Sequence, residues 1–443
     1  MGASVPKESP IGSPRDNHQA LCAMTLQRAL AEAPFYRSWK DKDPGSARPL
    51  DERFAALPVL TRRDVRAHVP DGFMWAAQRE SRGLATGEAE IVTTSGTSGE
   101  RLSVVWHQPW WDGSEREAAR LHATLQEIWS APHREAVLTT PVCGATACHV
   151  GDASMAERTL GTLLFLNQSD DPTAWDDGTA VRMAGELALF QPDVLEADPA
   201  YLGILARLCA RSGRALHQPR CIVLTYELPS RVHLRWIAKA FPGVPVVSSY
   251  GSTETGHVFT QCEHGTFHQN AATCRVDLQR LRPDRGGGGL ARLLVTTLGN
   301  PWFSLVRFDI GDIVRLRADV PCPCGRNDGM TVDGIEGRWN DLTFDCDGRI
   351  VTTRMLDDAL GSIASLTGYQ LVQTARRSLV VRCSAEADEQ AETARALSAC
   401  LTGLYGAGME VKVRLEQAIS PEQSGKFRLA RSTLAALPEE LLL

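Results

Sequence analysis

Val244-Pro245-Val246-Val247-Ser248-Ser249-Tyr250-Gly251-Ser252-Thr253-Glu254-Thr255-Gly256 decides how this chain folds. An apolar, β-branched run gives way to small, hydroxylated and glycine residues, which is how a buried strand delivers a loop. In parallel sheets, ligands gather beyond the carboxyl ends of such strands. Tyr250, Gly251, Thr253 and Glu254 put an aromatic face, a glycine, a hydroxyl and a carboxylate side by side. That set suits a nucleobase, phosphate oxygens and a metal ion.

Upstream, Ile91-Val92-Thr93-Thr94-Ser95-Gly96-Thr97-Ser98-Gly99 repeats the pattern of strand and small-residue loop. Glycines let a backbone approach a polyanion, and hydroxyls with free N–H groups surround phosphate oxygens. No Gly-Lys-Ser/Thr follows, so this is not a P-loop of the Walker kind. Between about residues 90 and 335, apolar β-rich runs alternate with amphipathic helical ones. This alternation predicts an α/β fold, a sheet with helices on its faces. The turn Arg285-Gly286-Gly287-Gly288-Gly289 introduces β-hairpin material over 290–316.

After Arg338 the pattern changes to two strands, a helix closed by glycine and a further strand, a small α+β unit of about 100 residues. The expected organisation is a disordered polar tail over 1–20, a large domain over 21–337 and a small one over 338–443. Hydrophobic residues make up 43% and charged ones 23%, the balance of a folded globular chain, and a net charge of −6 excludes a basic nucleic-acid surface. The apolar runs are too short to span a membrane, and the polar N-terminal stretch has no signal-peptide core, so a cytoplasmic protein is expected.

Together these segments resemble the adenylate-forming superfamily of acyl-CoA synthetases and adenylation domains. More narrowly, Ala33-Pro34-Phe35-Tyr36 and Leu57-Pro58-Val59-Leu60-Thr61-Arg62-Arg63-Asp64-Val65-Arg66 resemble the opening of the phenylacetate–CoA ligase branch. The resemblance runs from about residue 20 to about residue 435. It implies a large N-terminal adenylate-forming domain and a small, mobile C-terminal lid. The reaction it implies is ATP-dependent activation of a carboxylic acid, an aryl acid above all, as acyl-AMP.

Carried over to this chain, Thr94, Ser95, Gly96, Thr97, Ser98 and Gly99 would grip the pyrophosphate of ATP. Arg101 stands near the usual lysine. Tyr250 and Gly251 would face adenine, Thr253 the α-phosphate, and Glu254 would hold Mg²⁺. Asp312 would accept both ribose hydroxyls. Gly337-Arg338-Trp339-Asn340-Asp341 matches the hinge, with Asn340 where relatives carry aspartate and Arg338 contacting ribose or phosphate. Lys426, in Ser424-Gly425-Lys426, matches the lysine that a closing lid brings to the acyl carboxylate. Gly144, Cys148, His149 and Tyr226 fall in or beside the expected acid pocket. Tyr226 stands where the resemblance would place a glycine of the adenine-lining strand end.

Most of the twelve cysteines sit in apolar runs, as buried thiols do. Cys262, His268, Cys322 and Cys324 have the make-up of a closed structural Zn²⁺ site, with His264 as the substitute fourth ligand. For the acyl acceptor, coenzyme A leads, and a carrier-protein thiol or an amine stays open. A non-catalytic nucleotide-binding relative is the third reading, and Lys426, Asp312 and Glu254 argue against it. Whether the chain is a monomer or a homodimer is left open.

Overall fold

A computed structural model describes residues 14–94, 101–140, 153–169, 171–434 and 438–443. Among these, 12 strands form one sheet whose two halves are built differently. In the first half, Leu163–Phe165, Glu135–Leu138, Val194–Ala197, Cys221–Leu224 and Val246–Ser252 lie parallel, in that spatial order. Helices Asp177–Phe190, Pro199–Arg211 and Arg231–Ala240 alternate with these strands in the chain. Each opens on a polar cap, Asp176, Asp198 or Ser230, whose side chain accepts from a first-turn N–H.

One face of the parallel strands, with Leu138, Leu195, Ile222 and Leu224, packs against Met183, Leu187, Tyr201 and Ile237 of these helices. The other face, with Val194, Cys221, Val223 and Val247, is covered by Ala119, Leu125 and Ile128 from helices Gln108–Ala119 and Ala123–Trp129. Burial on both faces explains the unbroken apolar runs of the sequence.

At Val246–Ser252 the sheet changes character. This strand is parallel to Cys221–Leu224 but antiparallel to Gly256–Gln261. Beyond it Phe267–Gln269, Thr331–Arg338, Phe308–Leu316, Leu290–Thr297 and Cys274–Leu281 continue antiparallel. The expected hairpin is present: Leu290–Thr297 pairs with Phe308–Leu316. The N-terminal aromatic stretch closes this half from below. Tyr36 donates to Ser304 O and accepts from Val306 N within an apolar core shared with Trp39, Phe54 and Phe308.

Residues 366–432 form a separate four-stranded sheet, in the order Glu410–Leu415, Ser378–Ala385, Leu366–Ala375 and Ala430–Ser432. Helix Gln390–Tyr405 supplies Leu397, Leu401 and Tyr405 to its core.

Two boundaries differ from expectation. A helix runs over Pro14–Glu32, so residues 14–20 are helical and not tail; His18 Nδ1 lies 2.7 Å from Ala271 O and Cys22 is fully buried, which ties this helix to the sheet. At the other end, residues 438–443 leave the small sheet and return to the large one. Arg282 N donates to Leu441 O and Leu443 N to Arg280 O, while Leu441 joins an apolar cluster with Leu281, Leu290 and Ile313. Among the described residues no helix is long and apolar enough to cross a membrane.

Candidate active site

A cavity of about 1090 Å³ opens at the carboxyl edge of the parallel strands, where the sheet changes from parallel to antiparallel. The expected residues Thr94, Tyr226, Tyr250, Gly251, Thr253, Glu254, Asp312, Arg338 and Lys426 all line it. Ser95, Gly96, Thr97, Ser98, Gly99, Gly144, Cys148 and His149 lie outside the described residues.

Gly251 is required by close approach: a Cβ there would stand 2.4 Å from Gly256 O, where the chain doubles back. Thr94 ends the hairpin strand Glu90–Thr93, and its Oγ1 accepts from Leu102 N at 3.1 Å. The strand Phe308–Leu316 sets Asp312 opposite Arg338, with Nε 3.9 Å from Oδ1. Tyr250 donates its hydroxyl to Asp312 Oδ2 at 2.8 Å. Burial pushes the Asp312 carboxyl up, and the Arg338 guanidinium pulls it back. Burial likewise raises the Tyr250 phenol, and the Asp312 charge adds to it, so the hydroxyl stays a donor.

Glu254 is buried, and Arg62 binds its Oε1 at 3.1 Å. Sequence reasoning missed Arg62 because it lies 192 residues upstream; only the docking of the N-terminal helices brings it here. One carboxylate together with phosphate oxygens is a usual Mg²⁺ ligand set. Glu254, with Thr253 in the same cavity wall, offers a carboxylate of that kind.

Lys426 arrives from the small sheet's side. Its Nζ donates to Tyr226 O at 3.1 Å. The loop carrying it is seated by three contacts: Tyr201 Oη donates to Gly425 O at 3.0 Å, Phe427 N donates to Glu227, and Arg428 pairs with Asp341. Gly425 has φ +78°, and a Cβ would stand 2.1 Å from Thr140 Oγ1, so only glycine fits. Burial, then the Asp198 carboxyl, push Glu227 well up, and burial lifts Asp198 to about 7; Lys426 opposes the shift in both. One position after Asn340, which is exposed, Asp341 is buried and bound by Arg428.

Tyr226 holds φ +71°, a left-handed conformation costly for a bulky residue. Glycine, the residue expected at this position, adopts such a backbone without strain. Here the strained backbone aims the phenol into the cavity, where it hydrogen-bonds Glu196.

Away from the cavity, Cys262, His268, Cys322 and Cys324 offer ligand atoms all within 4.8 Å of one another. Cys262 Sγ is 3.7 Å from Cys322 Sγ, and Cys324 Sγ is 3.3 Å from His268 Nε2. Tetrahedral Zn–S bonds of about 2.3 Å set S···S separations of about 3.8 Å. His264, the substitute ligand, does not join this set; its backbone N–H instead donates to Cys262 Sγ at 3.4 Å.

No protein-family model matches the chain, and no curated protein matches its sequence. Solved structures do match. A 2-hydroxyisobutyryl-CoA ligase in the postadenylation state, in complex with R3-HIB-AMP, superposes with a TM-score of 0.67 at 18% identity, covering 94% of this chain and 88% of that one. The same ligase with 2-HIB-AMP and CoA in the thioesterification state gives 0.56 at 18% identity, over 96% and 90%. An anthranilate CoA ligase in complex with anthranoyl-AMP gives 0.52 at 12% identity, over 77% and 64%. At these identities the likeness is one of architecture: the chain has the fold of the adenylate-forming ligases.

Proposed function

We propose that this protein is an AMP-forming acid–thiol ligase of the phenylacetate–CoA ligase kind, which activates an aryl acid and passes it to coenzyme A. One observation carries the reading. Thr94, Tyr250, Thr253, Glu254 and Asp312 from the large sheet meet Lys426 from the other side in a single cleft. The aryl preference rests on the indole, phenyl and imidazole rings of Trp106, Trp111, Phe165 and His257 in the same lining.

The first step needs no general base, because a carboxylate is already ionised at neutral pH. Its oxygen attacks the α-phosphorus of ATP, the acyl–O–P bond forms, and the bond to pyrophosphate breaks. Catalysis is then positioning and charge stabilisation. Asp312 would orient the ribose, Thr253 would donate to the α-phosphate, and Lys426 would hold the acyl carboxylate in line. Glu254 would hold Mg²⁺, which neutralises phosphate charge when bound. In the second step the coenzyme A thiol, losing its proton, displaces AMP from the acyl carbon. For that step residues 338–434 would turn about Gly337–Asp341 and withdraw Lys426.

Cys262, His268, Cys322 and Cys324 would hold a structural Zn²⁺. Acid-dependent exchange of labelled pyrophosphate into ATP, over a panel of benzoates and phenylacetates, tests the first step. Adding coenzyme A and measuring the thioester tests the second. Absence of exchange with every acid, in protein that still binds ATP, would remove the proposal.

A further inference from the structure

The cleft holds more carboxyl groups than adenylation uses. Glu135 and Glu196 stand on adjacent parallel strands, with Val137 opposite Glu196. Period-two alternation turns both carboxyls to the face that Val194 shares with helix Gln108–Ala119. That helix contributes Glu115 to the same end of the cavity. His133 binds Glu135 at 2.7 Å and Tyr226 hydrogen-bonds Glu196, whereas Glu115 has no hydrogen-bond partner among the described residues. Burial pushes Glu115 well up, and Glu196 and Glu135 add to it; its exposed chain neighbour Arg116 opposes the shift least of all. Burial likewise lifts Glu196 to about 7.

Beside these carboxyls the cavity wall is aromatic. His257 stands in it with Nδ1 3.3 Å from Ser249 Oγ and Nε2 sealed from solvent, and burial lowers its pKa to about 4, so the ring is neutral. Its ring lies 5.0 Å from that of Trp111, which in turn lies 4.3 Å from Trp106. Carboxylates beside aromatic faces are the surroundings an ammonium group prefers. Tyr226 also fixes the scale, because its carbonyl accepts from Lys426 and its hydroxyl reaches Glu196. The acyl-carboxylate end and the acidic end are therefore no farther apart than one tyrosine spans. A single-ring amino acid covers that distance.

We propose that Glu115, Glu135 and Glu196, under the Trp106–Trp111–His257 wall, form a subsite for a basic amino group, so that the acid is an amino-substituted aryl or arylalkyl acid. This rests on the ligase reading above. The test compares para- and meta-aminomethylbenzoate with the hydroxymethyl and ethyl analogues in pyrophosphate exchange. The amino acid should win by about tenfold or more in kcat/KM, and Glu115→Gln or Glu196→Gln should collapse that ratio. Equal or better use of the neutral analogues would overturn the subsite while leaving the ligase reading intact. Binding of benzylamine, which has no carboxylate, reads the subsite without catalysis: saturable binding weakened by Glu115→Gln is expected. No binding, or binding indifferent to Glu115, would refute the inference even if no acid were activated.

Discussion

Asp312 shows how one side chain is prepared for a ligand. It is half-buried against Tyr250 and Arg338, both of which donate or lend charge to it, and it lines the cavity. In the ribose role proposed above, replacing it with alanine would remove a charged acceptor from the nucleotide, and it strands the Tyr250 hydroxyl. A hydrogen bond to a charged group is worth about 1.5–3 kcal/mol, so Asp312→Ala should weaken ATP binding roughly ten- to hundredfold. Calorimetry with ATP checks this, and unchanged affinity would take Asp312 out of the ribose site. Asp312 stood out in the sequence through its short motif, Arg307-Phe308-Asp309-Ile310-Gly311-Asp312, which the fold places within a strand. Arg62, Glu115 and Glu196 did not, since their roles arise only when distant segments pack together. Tyr226 was legible only as an anomaly, and its positive φ is the reason.

At the scale of elements, the alternation of apolar runs and amphipathic helices foretold the parallel half, because strands buried on both faces leave an unbroken apolar trace. It said nothing of Ala430–Ser432, whose only reason to be a strand is its parallel partner Leu366–Ala375. Nor did it show that residues 438–443 return to the large sheet, since two leucines completing a distant cluster carry no periodic signal. The Cys/His group binds the turn after Gly256–Gln261 to the loop at 322–324, next to the Arg326–Glu263 pair; Arg326 also reaches Arg120 O at the end of helix Gln108–Ala119. A closed zinc site contributes folding energy directly. Purified protein should therefore carry about one zinc per chain, and Cys322→Ser should lower the melting temperature far more than it alters nucleotide affinity. Folded, full-length protein without zinc would exclude the site.

For the whole molecule, the small sheet is held over the cleft by contacts that a rotation must break. Asp357 accepts from Ser230 Oγ and Arg231 N, Arg235 donates to Ile363 O and Leu366 O, and Phe427 N donates to Glu227. The return of residues 438–443 tethers the far end of the small sheet to the large one as well. A lid so held would have to release these contacts before it could turn as proposed, and in the present position its Lys426 lines the cleft. In the mechanism proposed above, this lysine serves adenylation and not thioester formation. Single-turnover rates of each half-reaction for Lys426→Ala separate the two. Acyl-AMP formation should slow by about 10²–10³-fold, while thioester formation from synthetic acyl-AMP stays near the parent rate. Equal losses in both halves would contradict the account and leave Lys426 as a structural turn residue.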